Sequence, residues 1–236
     1  MKLAEGVARM RFFHNLLIEK KQFSSISGYE DIKNIINRVL SSDDSFNLLL
    51  VGPSSSAKTQ FMMEIMNVSK HCVYFDAANS TNQILQVLEK ERPKIVLLDE
   101  LDKLPRVFAE KMLNFLESGH VKIDQKNCQM DFELKGCKVF GTANDISRIS
   151  KSVQSRFRKF FLTRYTEQQF LDVSEKVLPK LSPSIARYIG ANVYQSNGDI
   201  RDCIAVGKLV RKNDGPEEIA EIIATISKYE NEGNKK

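Results

Sequence analysis

Residues 52–59 read Gly-Pro-Ser-Ser-Ser-Ala-Lys-Thr, directly after an apolar run from Phe46 to Val51. A buried strand that ends in such a loop and then enters a helix aims successive backbone N–H groups into one cavity, where the helix dipole also favours negative charge. The pattern therefore demands a strand–loop–helix unit and marks Gly52, Pro53, Ser54, Ser55, Ser56, Ala57, Lys58 and Thr59 as candidate phosphate-holding residues. At this spacing Lys58 reaches the β- and γ-phosphates of a nucleotide and the Thr59 hydroxyl binds Mg²⁺. The residue before the Lys is Ala57 where Gly is usual, and a helical backbone at 57 accommodates its methyl group. A Ser-rich turn with no ligand would carry the same letters.

A second motif decides between these. Residues 95–100 read Ile-Val-Leu-Leu-Asp-Glu, a buried strand ending in two carboxylates. Asp99 would hold Mg²⁺ through water, and Glu100 would orient the water that attacks the γ-phosphate. Either motif alone arises by chance. Both, in this order and each after an apolar strand, point to ATP as substrate and Mg²⁺ as cofactor, with Thr59 and Asp99 on the metal.

Composition narrows the setting. The 236 residues can bury a full core, and a content of 42% apolar and 28% charged side chains is that of a globular chain. The formal charge of +5 permits nucleic-acid contact without requiring it. Cys72, Cys128, Cys137 and Cys203 form no Cys-x-x-Cys pair, and with three scattered histidines they argue against zinc and for thiols in a reducing cytosol. No apolar run approaches the roughly 18 residues that span a bilayer. Glu5, Arg9 and Arg11 interrupt the first apolar stretch, which excludes a secretory signal and leads to a cytoplasmic expectation.

Periodicity predicts an amphipathic helix within residues 1–23, a helix over Glu30–Leu40, and strands at Phe46–Val51, Cys72–Phe75, Lys94–Asp99, Cys137–Thr142 and Lys159–Leu162. Helices alternate with these strands at Lys58–Val68, Asn82–Glu91 and Phe108–Glu117, which implies a five-stranded parallel α/β sheet covered on both faces. Val121–Asp124 and Met130–Leu134 read as a β-hairpin inserted at about 120–136, around a turn at Gln125–Asn127. After Leu162 the pattern is all-helical. Thr166 with Gln169 forms a capping box, Pro183 starts a helix, Asp199 caps another and Gly215-Pro216 opens the last. The expected domains are an α/β domain over 24–164, a helical domain over 165–228 and a frayed tail over 229–236.

Three further residues complete the constellation. Asn144, in Gly141-Thr142-Ala143-Asn144-Asp145, follows the fourth core strand, from which its amide could meet the attacking water; a turn Asn would look the same. Arg156, in Ser155-Arg156-Phe157-Arg158, could stabilise phosphoryl charge on a neighbouring subunit's nucleotide, or make only a surface ion pair. Arg201, in Gly198-Asp199-Ile200-Arg201, sits in the first turn of a helix of the helical domain.

This order of motifs resembles the AAA+ ATPases over residues 24–212. The resemblance makes Phe23–Tyr29 the segment that holds adenine, with Gly28 and Tyr29 at its end, and Gly52–Thr59 and Ile95–Glu100 the Walker A and B motifs. It makes Asn144 sensor 1, Arg156 the arginine finger with Arg158 as the other choice, and Arg201 sensor 2. It also implies assembly into a ring, a hexamer being the expected size. The hairpin before sensor 1, with Gly28–Lys33 and Asp99–Lys103, is most similar to archaeal RuvB-like ATPases, and implies a DNA-remodelling motor. RuvB carries a third, winged-helix domain that grips DNA, and the chain ends too early to contain one, so DNA affinity is expected to be weak unless a partner protein supplies the grip. The alternatives are a MoxR-like or chaperone-type protein remodeller and a clamp-loader-like subunit. Residues 77–83 lack an aromatic-hydrophobic-Gly pore loop, and Phe157 stands where clamp loaders have Cys. The hairpin's charges, Lys122, Asp124, Lys126, Asp131, Glu133 and Lys135, balance rather than favour DNA.

Overall fold

The computed structural model describes residues 23–233, except 55, 70, 105, 126–127, 197 and 212–213. The helix expected within residues 1–23 therefore lies, apart from Phe23, outside the described residues.

The central apolar runs become strands because they are buried from both sides. Strand β1 (Phe46–Val51) buries Leu48, Leu49 and Leu50 completely. Strands β2 (Cys72–Phe75), β3 (Ile95–Leu98), β6 (Lys138–Ala143) and β7 (Arg158–Phe161) join it, with β4 (His120–Gln125) and β5 (Cys128–Glu133) forming a separate antiparallel hairpin. The large sheet has the order β2-β3-β6-β1-β7 and every pairing in it is parallel. Burial of each such Leu contributes about 1.5–3 kcal/mol, which holds the central strands against the entropy of ordering them. Helices α1 (Glu30–Ser41), α2 (Lys58–Val68), α3 (Thr81–Glu91), α4 (Arg106–Ser118) and α5 (Lys151–Gln154) cover the sheet on both faces.

The acidic strand is shorter than the predicted Lys94–Asp99. The amides of Lys94 and Ile95 both donate to the His71 carbonyl, at 3.0 and 3.1 Å, so the ladder starts only at Ile95. Its far end is cut where Glu100 turns into the left-handed region, at φ 53° and ψ 49°. Two 3₁₀ turns, Leu101–Lys103 and Ile146–Arg148, and α5 are too short to register as periodicity.

The hairpin strands are longer than predicted and their register sets Gln125 opposite Cys128, so only residues 126–127, which lie outside the described residues, join them. One hairpin face is apolar and buried: Val121, Met130, Phe132 and the adjoining Leu134 belong to the same core as Leu49, Phe115 and Phe157. The Arg92 guanidinium lies 4.8 Å from the Phe132 ring centre and donates to the Glu133 carbonyl. Gly119, at φ 77°, starts the hairpin where an added Cβ would meet the Leu134 carbonyl oxygen at 2.7 Å, so only Gly fits.

Phe23 and Tyr29–Thr163 form one compact unit; Ser24–Gly28 and the chain from Arg164 onward form another. The second contains α6 (Glu167–Val177), α7 (Pro183–Ser196), α8 (Ile200–Leu209) and α9 (Pro216–Gly233). The Thr166–Gln169 capping box forms, Asp199 caps α8 by accepting from the Arg201 amide, and α9 runs on through residues that the sequence suggested would fray. Among the described residues no helix is long and apolar enough to cross a membrane, and no cluster of His, Cys, Asp and Glu could hold a metal by itself.

Candidate nucleotide site

In a parallel sheet all strands deliver their carboxyl ends to one edge, and here that edge gathers the chemistry. Strand β6 lies between β1 and β3, with Val51 opposite Ala143 and Leu98 opposite Gly141. The residues that follow these strands are Gly52, Asp99 and Asn144, so the phosphate loop, the carboxylates and the candidate sensor leave the sheet side by side.

The loop is packed from below. The Gly52 amide donates to the Ala143 carbonyl at 3.1 Å, and a Cβ on Gly52 would meet the Leu162 carbonyl oxygen at 2.6 Å. Ala57 is fully buried at φ −64° and ψ 2°, a backbone that tolerates its methyl group where Gly was expected. Lys58 starts α2 and is 94% buried, since its relative exposure is 6%. Its ammonium donates to the carbonyls of Gly52 (2.8 Å) and Pro53 (2.7 Å) and to Ser56 Oγ (3.2 Å). A cation held under the loop by its own carbonyls suits a phosphate, which would draw it with a full opposite charge. Pro53, Ser54 and Thr59 are exposed; Ser55 lies outside the described residues.

The carboxylate side is a network. Asp99 Oδ2 accepts from the Tyr74 hydroxyl at 2.6 Å, and Oδ1 accepts from the Thr142 hydroxyl and from the Glu100 amide at 3.1 Å. Thr142 Oγ1 in turn accepts from the Glu100 amide at 3.0 Å. Burial, and then the hydrogen bond to Asp99, push the Tyr74 phenol above its ordinary pKa. The Glu100 carboxylate is paired with Lys103 at 2.6 Å, and this bond is the main cause that raises the Lys103 pKa. A left-handed Glu costs about 1–3 kcal/mol, a strain that persists only where surrounding contacts impose it. Asp102 accepts from the amides of Asn144 and Asp145, both at 3.2 Å, so the turn after β3 grips the turn after β6. Sequence spacing assigns no role to Tyr74, Thr142, Asp102 or Lys103; strand order brings in Tyr74, Thr142 and Asp102, and the turn after Glu100 brings in Lys103 three residues on.

The arginines are engaged elsewhere. Arg156 pairs with Glu117 at 2.8 Å and donates to the Ser152 carbonyl at 2.7 Å, while its Nε is buried with no hydrogen-bond partner. Arg158 is exposed at the start of β7, with no carboxylate in ion-pair range among the described residues. Arg201, in the second unit, pairs with Asp199 at 2.6 Å. Burial opposes ionisation of Asp199, but the side-chain and backbone hydrogen bonds of Arg201 outweigh it and leave the carboxyl below its ordinary pKa. Gly28, at φ 72°, belongs to the second unit, and a Cβ there would meet Gln169 Nε2 at 2.8 Å. Tyr29, also left-handed at φ 59°, belongs to the first; it donates to the Thr163 carbonyl at 2.7 Å and stacks edge-on to Phe61.

The fold is shared with known proteins. Similar solved structures include three of RuvB variants from Thermotoga maritima, at 15%, 14% and 16% identity, with TM-scores of 0.63, 0.60 and 0.58. They cover 84–85% of this chain and 70–71% of theirs. At such identity the likeness establishes the fold alone, a five-stranded parallel sheet followed by helices. No curated protein matches the chain by sequence. Residues 48–165, half of the chain and the stretch that holds the phosphate loop, both carboxylates, Asn144 and Arg156, match the AAA family, ATPases associated with various cellular activities. The chain is a member of the AAA family of ATPases.

Proposed function

We propose that the chain hydrolyses MgATP within a self-assembled ring and uses the cycle to remodel or move DNA, in the manner of RuvB-like ATPases. The observation that carries this reading is the β4–β5 hairpin, rooted immediately before β6, the strand that ends at Asn144. The likeness to RuvB structures supports it at the level of fold.

In this reading Lys58 exchanges its carbonyl partners for the β- and γ-phosphates, and the loop amides hold the remaining oxygens. The hydroxyl of Thr59 and the carboxylate of Asp99 are hard oxygen donors, the kind Mg²⁺ requires, and Mg²⁺ bound there would neutralise developing phosphate charge. Glu100 leaves Lys103, orients water and accepts its proton. The Asn144 amide positions the γ-phosphate or the water. Arg156 leaves Glu117 to meet a neighbouring subunit's nucleotide, with Arg158 as the other candidate. Gly28 and Tyr29 are the proposed residues beside the base, and Arg201 the proposed sensor of the nucleotide.

DNA contacts in this reading fall mainly on phosphates, with Lys122 at the hairpin as one donor. Such binding falls steeply with salt. The test is ATP turnover of the assembled protein titrated with single-stranded, duplex and four-way-junction DNA at two salt concentrations. Stimulation that disappears at the higher salt is the expected result. Turnover indifferent to every DNA at low salt would remove the motor reading and leave a protein remodeller in its place.

A further inference from the structure

We propose that Tyr74 is a positioning residue for Asp99, fixing which carboxylate oxygen is offered to the metal; the inference rests on the nucleotide reading above. Tyr74 lies on β2, the edge strand, and Asp99 follows β3, its neighbour in the ladder. The Asp99 amide donates to the Phe75 carbonyl at 2.8 Å, so the backbone registers the two residues before their side chains meet.

The argument is a count of lone pairs. A carboxylate has about four acceptor positions. On Asp99, Oδ1 takes the Thr142 hydroxyl and the Glu100 amide, and Oδ2 takes the Tyr74 hydroxyl at 2.6 Å. One position remains, and it is on Oδ2. Thr142 and Glu100 alone would leave Oδ2 with both positions open and the group free to tilt about its bond to the main chain. Tyr74 supplies the third point that fixes the plane.

Packing alone does not account for the contact. Tyr74 is 41% exposed on an edge strand, yet its hydroxyl meets Asp99 at a short, charge-assisted distance. Groups that orient a metal-binding carboxylate through a hydrogen bond influence metal affinity without touching the metal, their loss typically costing about 10–100-fold. Tyr74 stands one bond away from Asp99 and touches none of the reacting atoms, so its effect belongs in metal dependence and not in the chemical step.

The test is Tyr74→Phe in the full chain, which keeps the ring and removes one oxygen. Binding of ADP is measured by calorimetry with Mg²⁺ and with EDTA, and Mg²⁺-dependent ATP turnover is measured beside it. The Mg²⁺-dependent part of the ADP affinity should fall about tenfold. Binding in EDTA should be unchanged, half-saturating Mg²⁺ for turnover should rise by a similar factor, and turnover at saturating Mg²⁺ should stay within threefold of the parent. Unchanged Mg²⁺ dependence, or an equal loss with and without Mg²⁺, would overturn the role of Tyr74. Parent protein that binds ADP identically in Mg²⁺ and EDTA would overturn the metal reading itself, a result recognisable before any variant is made.

Discussion

The carboxylates and the candidate arginines are held in opposite ways. Asp99 is fixed by donors from three separate strand ends, Tyr74, Thr142 and Glu100, within a sheet whose strands cannot shift independently. Among the described residues Arg156 pairs with Glu117 and donates to the Ser152 carbonyl, and Arg201 pairs with Asp199, on partly exposed surface. Ion pairs of that kind contribute about 0–1 kcal/mol, little enough for a phosphate to replace them. Asp99 is thus built in place, whereas the arginines rest on partners that are cheap to leave. Glu100 stands between the two: its backbone is locked in a left-handed turn, but its carboxylate rests on the half-exposed Lys103.

The largest effect that could break this comparison is at the arginines. In the proposed ring, Arg156→Ala should reduce turnover by roughly 10³–10⁵ while nucleotide binding persists. Mixing it with Lys58→Ala subunits should restore some hydrolysis at shared interfaces. Full activity of the variant would shift the role to Arg158, whose own Ala variant would then carry the loss. Next in size, Glu100→Gln should lower turnover by roughly 10²–10⁴ at unchanged ATP affinity, because the amide fits the site but does not take up a proton. Hydrolysis within twofold of the parent would contradict the role.

Smaller effects sharpen the contrast. Lys103→Met frees Glu100 from its resting partner and should raise basal turnover by a few-fold, about the effect of losing one exposed ion pair; a drop of tenfold or more would mean that Lys103 works in hydrolysis itself. Glu117→Ala should change thermal stability by less than about 1 kcal/mol, because the Glu117 carboxylate is 64% exposed. A loss of several kcal/mol would make the Arg156 pair a structural bond and remove it from the reserve. Smallest and most local, Lys122→Glu should diminish DNA-stimulated turnover and leave basal hydrolysis as it was.

The α/β alternation, the phosphate loop and the paired acids were legible because each is written in contiguous residues: an apolar run, then a loop or two carboxylates. The Thr166–Gln169 and Asp199 caps were legible for the same reason. Tyr74 and Asp102 were not. Tyr74 is one aromatic in a strand until β2 is known to pair with β3, and Asp102 is one acid among three in Asp99–Lys103 until β6 is known to end beside it. Lys58 held by carbonyls and Glu100 held by Lys103 depend on backbone direction, which spacing does not encode. Of the two short turns, Ile146–Arg148 is capped by Asp145 accepting from the Ser147 amide, whereas Leu101–Lys103 has no side-chain cap and follows the left-handed Glu100.

Strand β6 joins the hairpin to the site by the shortest route the chain allows. The hairpin returns through Leu134, Gly136 turns at φ 64°, and Lys138–Ala143 then runs straight to Asn144. At about 3.3 Å per residue the strand is roughly 20 Å long. It is hydrogen-bonded along its whole length to β1 and from Lys138 to Gly141 to β3. Mechanically it is a rod clamped in a guide. A load on the hairpin reaches Asn144 as thrust or tension along the ladder, and the resisting stiffness is that of the two neighbouring strands, which themselves end in the phosphate loop and in Asp99.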